Sequence, residues 1–199
     1  HELNPLHTLA LQAETIASGQ FDKTLPEDKR IDEIGTLNNT FSNMQHSLVN
    51  FIEELKNTTA MKATIESELK VASDIQMGLI PRQFPPFPDR QDIDLFASMT
   101  PAKEVGGDLY DYFLQDERLY FCISDVSGKG IPASMFMAIT RNLFRIIAQQ
   151  NRAPWEVATQ INSFLTRDNE QSMFVTMFIG MIDLRKGLME FCNCGHNAP

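Results

Sequence analysis

From Leu37 onward a mostly apolar stripe recurs at alternating spacings of four and three: Leu37, Phe41, Met44, Leu48, Phe51 and Leu55, then, past Thr58 and Lys62, Ile65, Leu69, Ala72, the polar Gln76 and Leu79. Such a stripe, kept for about six heptads, lies along one side of an α-helix and matches neither a strand nor a loop. It predicts one helix of roughly 60 Å at the usual rise per residue. A solitary helix of that length cannot cover its own stripe, so a partner helix is required, most simply the same helix of a second copy in a homodimer. Thr58 and Lys62 interrupt the seam, either as a point where register can change or as an ordinary imperfection of a coiled coil.

The flanks read differently. Leu6, Leu9, Ala10, Ala13, Ile16 and Ala17 follow helical spacing, with Gly19 placed as a C-terminal stop. Residues 20–30 are polar around Phe21, Leu25 and the breaker Pro26, which suits an extended connector, and Asp32 is placed to cap the long helix. Pro81 ends that helix, and the proline-rich run PRQFPPFPDR (81–90) marks a domain boundary. Beyond it the period changes. Ile93, Leu95 and Ala97 alternate as a strand; 119–124, 174–182 and 188–194 read as strands; 133–149 and 154–166 read as helices. The mixture lacks strict βαβ alternation and a nucleotide-type glycine fingerprint, so the expected class is α+β, with 1–50 a helical relay, 51–81 a linker helix and 82–199 a second domain.

Composition narrows the function. A net charge of -9 and an isoelectric point near 4.9 leave no bulk cationic face for a phosphate backbone, which argues against a nucleic-acid partner. The 3 cysteines form no paired framework and read as thiols of a reducing compartment. No apolar run is long enough to span a bilayer. The chain opens at His1 and not at Met, so it reads as an excerpt whose upstream part would carry any targeting segment.

The densest chemical signal is Glu104-Val105-Gly106-Gly107-Asp108-Leu109-Tyr110-Asp111, followed by Ile123-Ser124-Asp125-Val126-Ser127-Gly128-Lys129-Gly130. Each sets an aspartate at a glycine-rich strand end. Hard divalent cations take oxygen ligands, so converging carboxylates with backbone carbonyls close by suit Mg²⁺ or Mn²⁺, and glycine permits the close approach. The same residues also suit turns in which the aspartates merely cap the backbone.

Taken together, PAKEVGGDLYDYF (101–113), DVSGKGIPASMFM (125–137), MFVTMFIGMID (173–183) and CGHNAP (194–199) resemble, in order and spacing, signatures of the bacterial PPM-type serine/threonine phosphatases of the RsbU and SpoIIE group. ASDIQMGLIP (72–81) resembles the linker leading into that domain. Residues 4–21 with DEIGTLNNTFSNM (32–44) resemble a HAMP domain, with Pro5, Glu33 and Gly35 at its characteristic positions.

The resemblance implies a β-sandwich flanked by helices that binds two Mn²⁺ or Mg²⁺ ions. It assigns Asp108, Asp125 and the Val126 carbonyl to the metals, with Gly107, Gly128 and, more weakly, Asp111 in support. The nucleophile would be a metal-activated water, with no side-chain nucleophile. The substrate would be a phosphorylated partner of the anti-sigma-factor antagonist type, and the chain would be the cytoplasmic portion of a membrane-anchored bacterial protein. Further family aspartates belong to a later segment absent before Pro199, so the domain is expected to be C-terminally incomplete and this stretch inactive by itself. Ser127-Gly128-Lys129 stands where some branches carry a histidine. Cys192-x-Cys194-x-His196 reads as buried thiols before half a zinc site, and Lys103 and Lys129 as solvated lysines before phosphate ligands. The competing function is a non-catalytic dimeric relay.

Overall fold

A computed structural model describes residues 3–19, 21, 30–101, 104–167 and 169–198. Most of the connector (20 and 22–29), together with Lys103, lies outside the described residues. The chain divides into two compact units, 1–66 and 67–199.

In the first unit, helix α1 covers Leu3–Ala17 and ends as expected at Gly19, whose φ is +83°. Helix α2 runs Glu33–Leu79, so it continues into the second unit. Asp32 caps it: Oδ1 accepts from the Gly35 N–H at 2.8 Å, satisfying a donor that the first helical turn leaves over. Two sides of α2 differ in burial. Asn38, Ser42 and Gln45 are buried, and Gln45 Nε2 donates to the Phe21 carbonyl at 3.3 Å. Part of the heptad stripe lies open to water instead: Leu37, Met44, Phe51, Leu55 and Ile65 are each at least half exposed, whereas Phe41, Leu48 and Leu69 are half-buried.

The second unit is built on one antiparallel sheet of four strands in the order β1-β2-β3-β4: β1 Leu109–Gln115, β2 Arg118–Val126, β3 Val175–Asp183 and β4 Leu188–Cys194. Helices α3 (Ile131–Ala148) and α4 (Pro154–Leu165) connect β2 to β3 and cover one face. This mixed helix-and-antiparallel-sheet class is the expected one; among the described residues it contains a single sheet.

The register explains the core. Asp111 pairs with Cys122, Cys122 with Ile179, and Ile179 with Cys192, so these residues and their alternates point at the helices. Phe113, Tyr120, Cys122 and Ile179 pack there against Phe144 and Ile147 of α3 and Val157 and Ile161 of α4. Phe144 is fully buried, so truncation to alanine costs roughly 3–5 kcal/mol. A second cluster joins Ile80 and Met77, at the end of α2, to Leu109, Val126, Ala133 and Met137. The opposite face of the sheet carries stacked Phe178 and Phe191, ring centroids 5.3 Å apart, with Ile123 and Phe191 exposed.

Two expectations change. Residues 93–97 are extended and alternate in burial, but they pair with no neighbouring strand among the described residues, and alternation alone does not make a ladder. Conversely, 109–115 is a strand whose extent the apolar pattern does not announce, although the motif before it sets Asp108 at a strand end. Its inward position 111 is an aspartate, which breaks the apolar alternation that would have revealed it.

Candidate metal centre

Asp108 stands immediately before β1, and Asp125 is the penultimate residue of β2. Leu109 pairs with Ser124, so antiparallel register brings Asp108 and Asp125 to the same end and the same face of the sheet, away from α3 and α4. They line a cleft of about 460 Å³ together with Gln76, Val126, Lys129 and Thr176. Burial is the first cause that pushes the Asp108 carboxyl above its ordinary range; the charge and hydrogen-bonding reach of Asp125 push it further, and His196 opposes them.

The close fit of the two loops depends on Gly107. A Cβ there would sit 2.8 Å from the Val126 carbonyl oxygen and 2.9 Å from its Cβ, so only glycine lets this backbone lie against β2. That approach also sets Gly107, the neighbour of Asp108, against the Val126 carbonyl. Gly128 has φ of +90°, the left-handed conformation in which the 127–130 loop turns into α3. Ser127 fastens that loop to β3: its N–H donates to the Phe174 carbonyl at 2.8 Å, and its Oγ accepts from the Phe174 N–H at 2.9 Å.

Gln76, in the last turn of α2, is buried and completes the wall. Its Nε2 donates to the Gly106 carbonyl at 2.5 Å, and its Oε1 accepts from the Gly106 N–H at 3.1 Å. One side-chain amide thereby mimics a strand neighbour and fixes the segment that carries Asp108. The heptad spacing takes Gln76 as one regular seam position; an amide standing on the seam one turn before the helix ends at Pro81 is the signal that marks it.

Asp111, the remaining carboxylate of the supporting set, is directed elsewhere. Its parity places it on the helix side of the sheet, where it is 1% exposed and gripped by Arg145 (Nε–Oδ2 2.6 Å, NH2–Oδ1 2.7 Å) and by Arg141 (Nε–Oδ2 3.0 Å). Hydrogen bonding to Asp111 holds the Arg145 guanidinium above its ordinary pKa. Cys192 and Cys194 have Sγ atoms 3.7 Å apart on the helix side, and burial pushes the Cys194 thiol up to about 11. His196 instead bonds Thr176, whose partner across the ladder is Asp125, so the three donors of the Cys-x-Cys-x-His stretch do not converge. Among the described residues no cluster of three or more His, Cys, Asp or Glu side chains is poised for a metal.

The donor set fits a hard divalent cation. Asp108 and Asp125 supply carboxylate oxygens, neither is in an ion pair among the described residues, and their mutual repulsion is the kind a cation relieves. A shallow, water-accessible setting also suits ions that keep part of their hydration shell.

Helices packed on one antiparallel sheet are the fold class of PP2C-type phosphatase domains. Residues 115–199 match the family model of stage II sporulation protein E (SpoIIE), and residues 2–50 match that of the HAMP domain. The chain thus carries a HAMP domain followed by a SpoIIE-family domain. Protein IcfG of Synechocystis sp. is 30% identical over 98% of this chain, and phosphoserine phosphatase RsbU of Bacillus subtilis is 27% identical over 72% of it. The chain spans 34% of the former and 42% of the latter. The SiaA-PP2C domain of Pseudomonas aeruginosa shares the fold, with a TM-score of 0.55 at 24% identity over 66% of this chain and 54% of that one. Among the described residues no helix is long and apolar enough to cross a membrane.

Proposed function

We propose that this chain is the regulatory helix and leading part of a divalent-metal-dependent protein phosphatase that removes phosphate from serine or threonine of a partner protein. The observation that carries the reading is the convergence of Asp108, Asp125 and the Val126 carbonyl in one cleft, on a SpoIIE-family domain whose relative RsbU is a phosphoserine phosphatase. Asp108 and Asp125, with the Val126 carbonyl, would hold Mn²⁺ or Mg²⁺. When bound, the ions lower the pKa of a water and offset charge on the phosphoryl oxygens. Gly107 and Gln76 keep the Asp108 segment against β2, and the Ser127 pairing to Phe174 keeps the 127–130 loop at the cleft mouth. The substrate class is a phosphorylated antagonist of an anti-sigma factor.

Two carboxylates are fewer than a two-ion site uses, and the chain covers less than half of its curated relatives. We therefore take further acidic ligands to come from a downstream segment, and residues 1–199 alone to be inactive. The exposed heptad stripe supports a homodimer along α2, and the HAMP domain supports attachment to a membrane with this part on the cytoplasmic side. A rotation or register change in that helix pair would reach the cleft through Gln76, which joins α2 to Gly106.

The test is hydrolysis of a phosphoserine peptide by full-length protein with Mn²⁺, beside Asp125→Asn and the 1–199 stretch. Activity in the full-length wild type alone supports the reading. Metal-independent activity, or no activity under activating conditions, would move the assignment to the non-catalytic dimeric relay.

A further inference from the structure

The cysteine pair of β4 faces a cavity on the other side of the sheet from the Asp108–Asp125 cleft. Cys192 and Cys194 stand two residues apart on the strand, so pleating turns both to the helix side, and their Sγ atoms lie 3.7 Å apart. Ile179 pairs with Cys192, which sets Met177 and Cys194 at the next inward positions of β3 and β4, and Cys194 packs against the core cluster that contains Met177. A cavity of about 450 Å³ opens onto this row. Cys192, Cys194, Met173 and Met177 all line it, beside Phe136 and Trp155. Among the described residues that line it there is no histidine and no carboxylate. Asn169 fixes the backbone of Met173, with Oδ1 accepting from the Met173 N–H at 3.0 Å and Nδ2 donating to its carbonyl at 2.7 Å.

Two thiols and two thioethers at one cavity make a donor set with a chemical preference. The 3.7 Å spacing is a thiol–thiol hydrogen bond while both sulfurs are protonated. It is also the spacing of two ligands on one metal: with bonds to sulfur of about 2.3 Å, a tetrahedral angle sets the sulfurs about 3.8 Å apart. A disulfide suits the pair less well, because two steps of about 3.4 Å along a strand put the Cα atoms at the far limit of disulfide geometry. Thiolate joined by thioether selects a soft cation, and Cu(I) above all. Zn²⁺ takes thiolate or imidazole, and His196, the nearest ring in sequence, is turned to Thr176 instead.

We propose that Cys192, Cys194 and Met177 form a binding site for Cu(I), with Met173 as a further sulfur at the same cavity. The inference uses no residue of the Asp108–Asp125 cleft and stands apart from the phosphatase reading. On binding, each thiol gives its proton to water and its sulfur donates the freed electron pair to the cation, so two protons leave and no electron is transferred. Burial, and after it the bond with Cys192, hold the Cys194 thiol up at about 11, so affinity rises with pH as those protons become easier to displace. Trp155, the single tryptophan of the sequence, lines the cavity, and its emission therefore reports occupancy.

The experiment is an anaerobic titration of the full-length protein with Cu(I) in competition with the chelator bicinchoninate. It compares wild type, Cys192→Ser, Cys194→Ser, Met177→Leu and Cys122→Ala, with the melting temperature measured for each. Wild type is expected to take from the chelator one equivalent of Cu(I) that neither serine variant retains, with quenching of an emission that Trp155→Phe removes. Either serine substitution should lower Cu(I) affinity by more than about 10²-fold and Met177→Leu by about tenfold. Cys122→Ala, whose thiol is buried and lies outside the cavity, should leave the affinity unchanged. Excess Zn²⁺ should leave the bound Cu(I) in place. Copper left on the chelator by wild type, uptake unchanged in both serine variants, uptake without quenching of Trp155, or displacement by Zn²⁺ would overturn the proposal. If Cys194→Ser does not fold, Cys192→Ser and Met177→Leu decide it by the same loss of affinity.

Discussion

Asp111 of β1 and Arg145 of α3 form a two-pronged ion pair with contacts of 2.6 and 2.7 Å, across the interface between sheet and helix layer. Asp111 lies two residues beyond its strand's first residue, so β pleating turns it to the face opposite that of Asp108. The pair, joined by Arg141, makes an inward carboxylate tolerable in a mostly apolar core.

Breaking that pair from one side should therefore be costly. Arg145→Met is expected to destabilise the domain by about 3 kcal/mol, because the buried carboxylate keeps only Arg141 as a charged partner, beside the Tyr112 N–H that donates to its Oδ1. Asp111→Asn combined with Arg145→Met should cost less than the two separate changes added together. Urea unfolding of the four proteins of the cycle checks both statements.

Cation binding should register in stability before it registers in turnover. With Mn²⁺ at 100 times its dissociation constant, the folded state gains about 2.7 kcal/mol, and Asp125→Asn should abolish the gain. Thermal melts with and without the ion provide the measurement.

Without the ion, the raised Asp108 pKa has a definite sign. The folded state binds this proton more tightly than the unfolded state, so stability present at low pH is lost as pH rises from the ordinary carboxylate range through the folded-state value. Asp108→Asn should remove that slope and raise the melting temperature of the metal-free protein at neutral pH. A metal-free variant that melts below wild type there would contradict the repulsion between Asp108 and Asp125.

The glycine approach is testable by a single methyl group. Gly107→Ala places a Cβ within 2.8 Å of the Val126 carbonyl oxygen, a position occupied by backbone and not by a mobile side-chain end. It should cost about 1–3 kcal/mol and weaken Mn²⁺ binding, as followed by unfolding and by calorimetric titration. Gly106→Ala, where a Cβ meets nothing within 4 Å, is the control and should stay close to wild type in stability.

Along α2, cysteine in place of Phe51, 62% exposed on the open stripe, should cross-link between two copies under mild oxidation. Sedimentation should show a dimer that is lost when Phe51 and Leu55 are both made polar. If full-length activity does not change when the register is locked at either Phe51 or Leu69, regulation through this helix is wrong.

Much of this protein is determined by periodicity and local chemistry, which act over a few residues and are written in the chain. The four-three spacing dictated α2, Asp32 and Gly19 marked helix ends, and the apolar runs placed β2, β3 and β4. The Gly-Gly-Asp and Asp-Val-Ser-Gly segments drew attention to Asp108 and Asp125 as either metal ligands or turn caps, and it was the family resemblance that singled them out, with the Val126 carbonyl, as candidate ligands. Tertiary structure decided what depends on partners distant in sequence. Strand register sent Asp111 to the helix face and Asp108 to the cleft, although both lie in one motif. Gln76 found Gly106 30 residues away, and Thr176 found His196 20 residues away. Residues 93–97 carry a strand's alternation without a strand's partner among the described residues. Pairing across a sheet is a property of two segments, so no single segment could declare it.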